Sequence, residues 1–188
     1  MQNFERDREH CHSVLNEYTK SESLIKHALA VETCVREYAQ KFNEDESFWG
    51  NVALLHDFDY EMFPSAEEHP FKGNEILKEK GFSEEFRRAI MSHADYTNIS
   101  RDSKLEKVLF ACDELAGFIT AVTYVRPSKT VDEVEVKSVL KKMKDKAFAR
   151  AVSRDDIKNG ASEIGIPLEE HIQFCINAMR NNKGTLGL

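Results

Sequence analysis

No stretch of this sequence approaches the roughly 20 consecutive apolar residues that a membrane-spanning helix requires. The opening segment MQNFERDREHCHS is polar and charged and lacks the apolar heart of a signal peptide, so the expectation is a chain retained in the cytoplasm. The four cysteines, Cys11, Cys34, Cys112 and Cys175, are scattered with no CxxC pair, which argues against a disulfide framework or a zinc–thiolate site. Small buried thiols in a reducing compartment account for them better. Alternating apolar and polar residues, the mark of half-buried strands, are scarce. Internal repeats, low-complexity tracts and linkers are lacking too. The 188 residues therefore read as one domain, with a core over about 20–125 and a helical extension over 126–188 packed on it. A formal net charge of −7 argues against general affinity for nucleic acid. The charge is uneven, however: between Arg126 and Lys158 ten Lys or Arg stand against six Asp or Glu. That segment is either a solvated helix face or a surface that meets an anionic substrate.

What the sequence has in abundance is apolar residues at helical spacing. Leu24, Ala28, Val31, Val35, Tyr38 and Phe42 form a three-four stripe that predicts a helix over 22–42. A second runs through Phe48, Trp49, Val52 and Leu55 and ends near Asp57. FPSAEEHP, with Pro64 and Pro70, reads as a loop, and FKGNEILKEK as a helix stopped by Gly81. Ser83 can cap the next helix, which is expected to reach His93. The longest stripe, Leu105, Val108, Leu109, Cys112, Leu115, Ala116, Ile119 and Val122, predicts a helix over 104–125 ended by Pro127. TVDEVEVKSVLKKM fits a strand by its valines and a helix by its later spacing, with Thr130 or Asp132 as cap; helix is favoured. Two last helices fit 154–164 and 168–182. The expected fold class is all-α, a compact bundle with additional C-terminal helices.

Certain ionisable residues fall on these apolar faces. His27 shares a helix face with Leu24 and Val31. His56 lies four after Val52, Asp57 four after Ala53, and His93 three after Ile90. Asp113 sits inside the most apolar helix of the chain. A buried carboxylate without a partner costs several kcal/mol or takes up a proton. Each residue alone has an ordinary explanation: a histidine hydrogen-bonded inside the fold, an aspartate paired with an arginine. His10, His12 and His171, in polar or terminal context, are read that way. Together, imidazoles and carboxylates on several helices can surround a divalent cation and leave positions open for water and substrate. Spacing alone does not bring them together.

These residues resemble the HD superfamily of metal-dependent phosphohydrolases, named for its His-Asp doublet. The pattern of a His, then His-Asp, then a distant Asp is met by His27 in LIKHALAVE, His56-Asp57 in LLHDFD and Asp113 in FACDELAGF. The resemblance covers about 20–125, and HPFKGNEIL, SHADYT and FITAVTYVRPSKTVDEVEVKSV are similar to a group of bacterial HD hydrolases of the HDIG-like kind. Phe58-Asp59 replaces the usual Ile-Gly, and Ala94 stands where two-metal members often carry a further histidine.

The resemblance implies that His27, His56, Asp57 and Asp113 hold one divalent ion, whether manganese, iron, zinc, cobalt, nickel or magnesium. His69 and His93 would hold a second ion or contact phosphate, with Asp57 bridging. The implied reaction is hydrolysis of a phosphate ester, including nucleotides as a substrate class, by metal-activated water. Asp57 and His93 are placed at the reacting centre, and Asp59, Glu61 or Asp95 are expected to orient the water. Arg126, Lys129 and Lys137 are expected to hold the anionic substrate. The alternative is an HD-fold regulatory module that binds a nucleotide or metal without turnover. Oligomeric state has no signal in the sequence.

Overall fold

A computed structural model of the protein describes residues 4–188; Met1–Asn3, part of the expected 1–188 domain, lie outside the described residues. The chain is 67% helical, with no strand among the described residues. No helix among those residues is long and apolar enough to cross a membrane.

The first helix, α1 (Arg8–Tyr18), was not foreseen. Its buried stripe of Cys11, Val14 and Leu15 is short and set among charged residues. Asp7 caps it by accepting the N–H groups of Glu9 and His10. The Arg8 guanidinium ties it to α2 (Glu22–Phe42) through two bonds of 2.7 and 2.9 Å to Glu32, which also accepts from Arg36 at 2.8 Å. Two guanidinium groups thus compensate one buried carboxylate, which a single partner would leave under-satisfied.

Helix α2 occupies the span its stripe predicts. It packs along α3 (Glu46–Leu54), capped by Asp45, and along α6 (Lys104–Tyr124), which opens with a reciprocal Ser103–Glu106 capping box. Between them lie α4 (Phe71–Glu79), followed by Gly81 at φ +87°, and α5 (Glu84–Met91), capped by Ser83. Helix α5 stops two residues before the expected His93, so His93 leaves the helical path.

The ambiguous segment after α6 divides in two. Thr130 starts a 3-10 turn over Val131–Glu133, and α7 (Val136–Met143) follows. Helices α8 (Arg154–Glu163) and α9 (Leu168–Asn181) lie where the spacing places them, and α10 (Lys183–Leu186) ends the chain. Helix α8 packs on α6 and α9 packs on α2 and α6. The α6–α8 approach is close: a Cβ on Gly160 would stand 2.5 Å from the Ala111 Cα. His171 has the ordinary hydrogen-bonded role expected of it, though in a buried rather than a polar setting. It is fully buried, bonded to Tyr38 of α2 and the Ala111 carbonyl of α6. All four cysteines are buried and free.

Candidate metal centre

Each ligand candidate is delivered by a helix or its end. His27 projects from the second turn of α2 and Asp113 from the middle of α6. Leu54, Leu55 and Phe58, all fully buried, pin the turn after α3 that presents His56 and Asp57. His69 lies just ahead of α4 and His93 just past α5. The fold brings these six side chains together in two groups, His27–His56–Asp113 and Asp57–His69–His93.

In the first group His27 Nε2 lies 3.2 Å from His56 Nε2 and 3.0 Å from Asp113 Oδ1, with His56 Nε2 3.3 Å from the same oxygen. In the second, His69 Nε2 and His93 Nε2 are 3.3 Å apart and lie 3.2 and 3.4 Å from Asp57 Oδ1. The other oxygen, Asp57 Oδ2, faces the first group at 3.5 Å from His56 and 3.7 Å from His27. One carboxylate therefore spans both groups.

The donor set fits divalent cations. Ligands about 2.0–2.2 Å from one ion stand roughly 2.9–3.5 Å from each other, the spacing found in both groups. Three rings have their other nitrogen committed. His56 Nδ1 bonds the Ala53 carbonyl at 2.7 Å, His93 Nδ1 the Ile90 carbonyl at 2.6 Å, and His69 Nδ1 the Asp59 carboxylate at 2.8 Å. Their Nε2 atoms are thereby turned into the cluster. With both Nδ1 atoms donating, the Nε2 atoms of His69 and His93 are two bare acceptors face to face and call for a positive centre, proton or cation, between them. In the first group a His27 Nε2–H can donate to His56 or Asp113 instead.

The electrostatics state the same demand. Burial alone would raise the Asp57 and Asp113 carboxyls, yet the surrounding imidazoles hold both below the usual carboxylate range. Burial likewise works against charge on His56 and His69, but Asp57 with Asp113, and Asp57 with Asp59, raise them to about 10 and about 9. Without an ion, protons supply the positive charge that a cation can replace.

Three sequence expectations are corrected by this geometry. Asp59 does not face the pocket: it is fully buried behind His69, with Oδ1 accepting from His69 and Oδ2 from the Gly73 N–H at 2.7 Å. A Cβ on Gly73 would meet the Asp59 carboxylate at 2.7 Å, so this contact needs glycine. Glu61 accepts the backbone N–H groups of Lys20 and Ser21 at the start of α2 and has no part in the site. Arg126, Lys129 and Lys137 are also elsewhere. Arg126 follows Asp113 by 13 residues, roughly 20 Å along the helix axis. With Lys137 it lines a separate cavity beside α7, and Lys129 lies on an exposed turn.

The metal groups open into a cavity of about 320 Å³ whose other walls are Tyr60, Ala94, Asp95, Tyr96, Phe110, Glu114 and Asp156. Asp95, one of the expected water-orienting acids, does reach it, held at 2.7 Å by Arg101. The two tyrosines, Phe110, Glu114 and Asp156 were missed. Glu114 had a signal, its place beside Asp113; Asp156 had none. Burial, then Asp113, raises Glu114 to about 7, and burial with nearby carboxylates raises Tyr96 to about 12.

No curated protein and no solved structure matches the chain. The HD domain family model matches residues 24–117, half of the chain, and that span contains all six ligand candidates. Such domains generally bind divalent metals and act as hydrolases. The chain belongs to the HD domain family.

Proposed function

We propose that the protein is a metal-dependent phosphohydrolase that cleaves a small phosphate monoester. The observation that carries this reading is the position of Asp57, whose two oxygens face two separate imidazole groups. A divalent cation, when bound, supplies Lewis acidity: it lowers the pKa of water and offsets charge on a phosphoryl oxygen.

The chain's own residues do the rest. His27, His56 and Asp113 hold one position, His69 and His93 the other, and Asp57 fixes their separation. Asp59 acts one step removed, as a positioning residue that orients His69. Tyr60, Tyr96 and Phe110 give the cavity an aromatic lining that reduces the water around the ester. In the overall reaction the water oxygen forms a bond to phosphorus and the ester P–O bond breaks. The alcohol departs with a proton derived from the water, leaving inorganic phosphate.

Metal analysis followed by a screen of phosphate esters tests this, with Asp57→Ala as the control. Release of phosphate that depends on added metal and disappears in the variant supports the reading. Activity that survives Asp57→Ala removes the site, and a metal-loaded protein that binds a nucleotide but leaves it intact is a sensor rather than a hydrolase.

A further inference from the structure

The pocket contains a second chemistry, opposite in sign to what a phosphate requires. Among the described residues that line it there is no lysine or arginine. The nearby guanidinium, Arg101, is spent elsewhere. It bonds Asp95 at 2.7 Å and Glu163 at 2.7 and 2.8 Å, and lies 3.6 Å over the Phe110 ring. That leaves two wall carboxylates, Glu114 and Asp156, with no lysine or arginine partner among the described residues. Glu114 accepts only the Ser153 N–H, at 3.1 Å. The same cavity is lined by Tyr60 and Tyr96, large aromatics 40% and 46% exposed.

The charges decide what such a pocket takes. A phosphate dianion, together with Asp57 and Asp113, balances two divalent cations. Glu114 and Asp156 then remain uncompensated, and further phosphates on the ligand would be driven against them. Carboxylates beside exposed aromatic faces are the chemistry that holds an organic cation. Asp156 also lies on α8, beyond the residues matched by the family, and Gly160 of that helix sets its close approach to α6. Asp156 is therefore brought to the metal core by this chain's C-terminal helices, while Glu114 stands on α6 beside Asp113.

We propose that the pocket selects phosphate monoesters whose alcohol carries a positive charge, an ammonium or alkylammonium group. Glu114 and Asp156 are the anionic wall and Tyr60 and Tyr96 the aromatic faces. The proposal rests on the phosphohydrolase reading for which end of the ligand meets the metals.

Binding separates the two ideas. Two phosphonates that resist hydrolysis, one ending in trimethylammonium and one in the uncharged tert-butyl isostere, are titrated calorimetrically into the manganese-loaded full chain at pH 8. The cationic member is expected to bind at least tenfold more tightly. That preference falls to within twofold in the Glu114→Gln/Asp156→Asn double variant and severalfold in Tyr96→Leu, a change that keeps both charges. Equal binding, weaker binding of the cation, no binding of either, or a preference intact in both variants overturns the proposal. The matching esters, choline phosphate and 3,3-dimethylbutyl phosphate, report on turnover. A cationic preference without cleavage of either ester sinks the hydrolase reading and keeps the recognition. Cleavage of both esters at equal kcat/KM with equal phosphonate binding does the reverse.

Discussion

The carboxylate of Asp59 accepts the Nδ1–H of His69 at 2.8 Å, deep behind the pocket, and so decides which nitrogen of that ring faces Asp57. Asp59→Asn retains one acceptor oxygen for two donors, His69 Nδ1 and the Gly73 N–H. Metal affinity at the His69–His93 position is expected to fall about 10–100-fold. The unpaired donor costs a further 1–3 kcal/mol of stability or so, about the penalty for a buried unsatisfied group. Metal titration and urea unfolding of the variant measure the two effects. Unchanged affinity would mean that Asp59 does not orient the ring.

Asp57 and Asp113 are expected to differ in kind. Asp57→Ala strips an oxygen from both groups, whereas Asp113→Ala strips one from the first group alone. Metal at 100 times its Kd stabilises a folded site by about 2.7 kcal/mol. A chelator should therefore lower the Tm of the wild type, lower it less in Asp113→Ala, and leave Asp57→Ala almost unmoved. Thermal scans with and without chelator read this directly. A chelator-insensitive wild type would deny the metal centre.

Helix α8 is held to α6 at Gly160, where a methyl group would enter the Ala111 backbone. Overpacking of this kind costs typically about 1–3 kcal/mol. Gly160→Ala should lower the urea midpoint accordingly and shift Asp156 away from Glu114. Metal binding should change little, because none of the six ligand candidates lies on α8. Loss of metal along with stability would mean that α8 supports the core directly.

His171 gives a pH prediction with a definite sign. Its Nε2–H donates to the Ala111 carbonyl at 2.9 Å, and its Nδ1 accepts the Tyr38 hydroxyl at 2.7 Å, an arrangement only the neutral ring allows. Burial holds its pKa down at about 4, against the opposing pull of the Ala111 carbonyl. An unfolded histidine titrates near about 6.5, so between these values the unfolded chain binds the proton and the folded chain does not. This contribution is complete above about pH 6.5 and is lost as the pH falls toward 4, by up to about 3 kcal/mol. Urea midpoints at pH 7.5 and 4.5 should drop less steeply in His171→Gln than in the wild type. Equal slopes would place the acid sensitivity elsewhere.

The helices and most of the candidate ligands were legible in the sequence for a simple reason, His69 alone coming from the family resemblance. A three-four stripe fixes which face of α2 or α6 is buried, and His27 and Asp113 then stand out as polar atoms on an apolar surface. Helix α1 was not legible, because its stripe is short and its partner for Arg8 is Glu32, 24 residues away. Asp59 and Glu61 show the limit of local reading. Both are acids within four residues of Asp57, yet one orients a histidine and the other meets the start of α2.

By itself, then, the sequence determined the all-α class, the span of most helices and the six residues able to hold metal. Only the tertiary structure decided that Asp59 stands behind His69, that Arg126 and Lys137 line a separate cavity, and that Glu114 and Asp156 form an acidic wall. The physical reason is that periodicity reports which side of a helix is buried, whereas coordination and pocket charge depend on which helices meet. That meeting is set by close packing such as Gly160 against Ala111, between residues 49 positions apart.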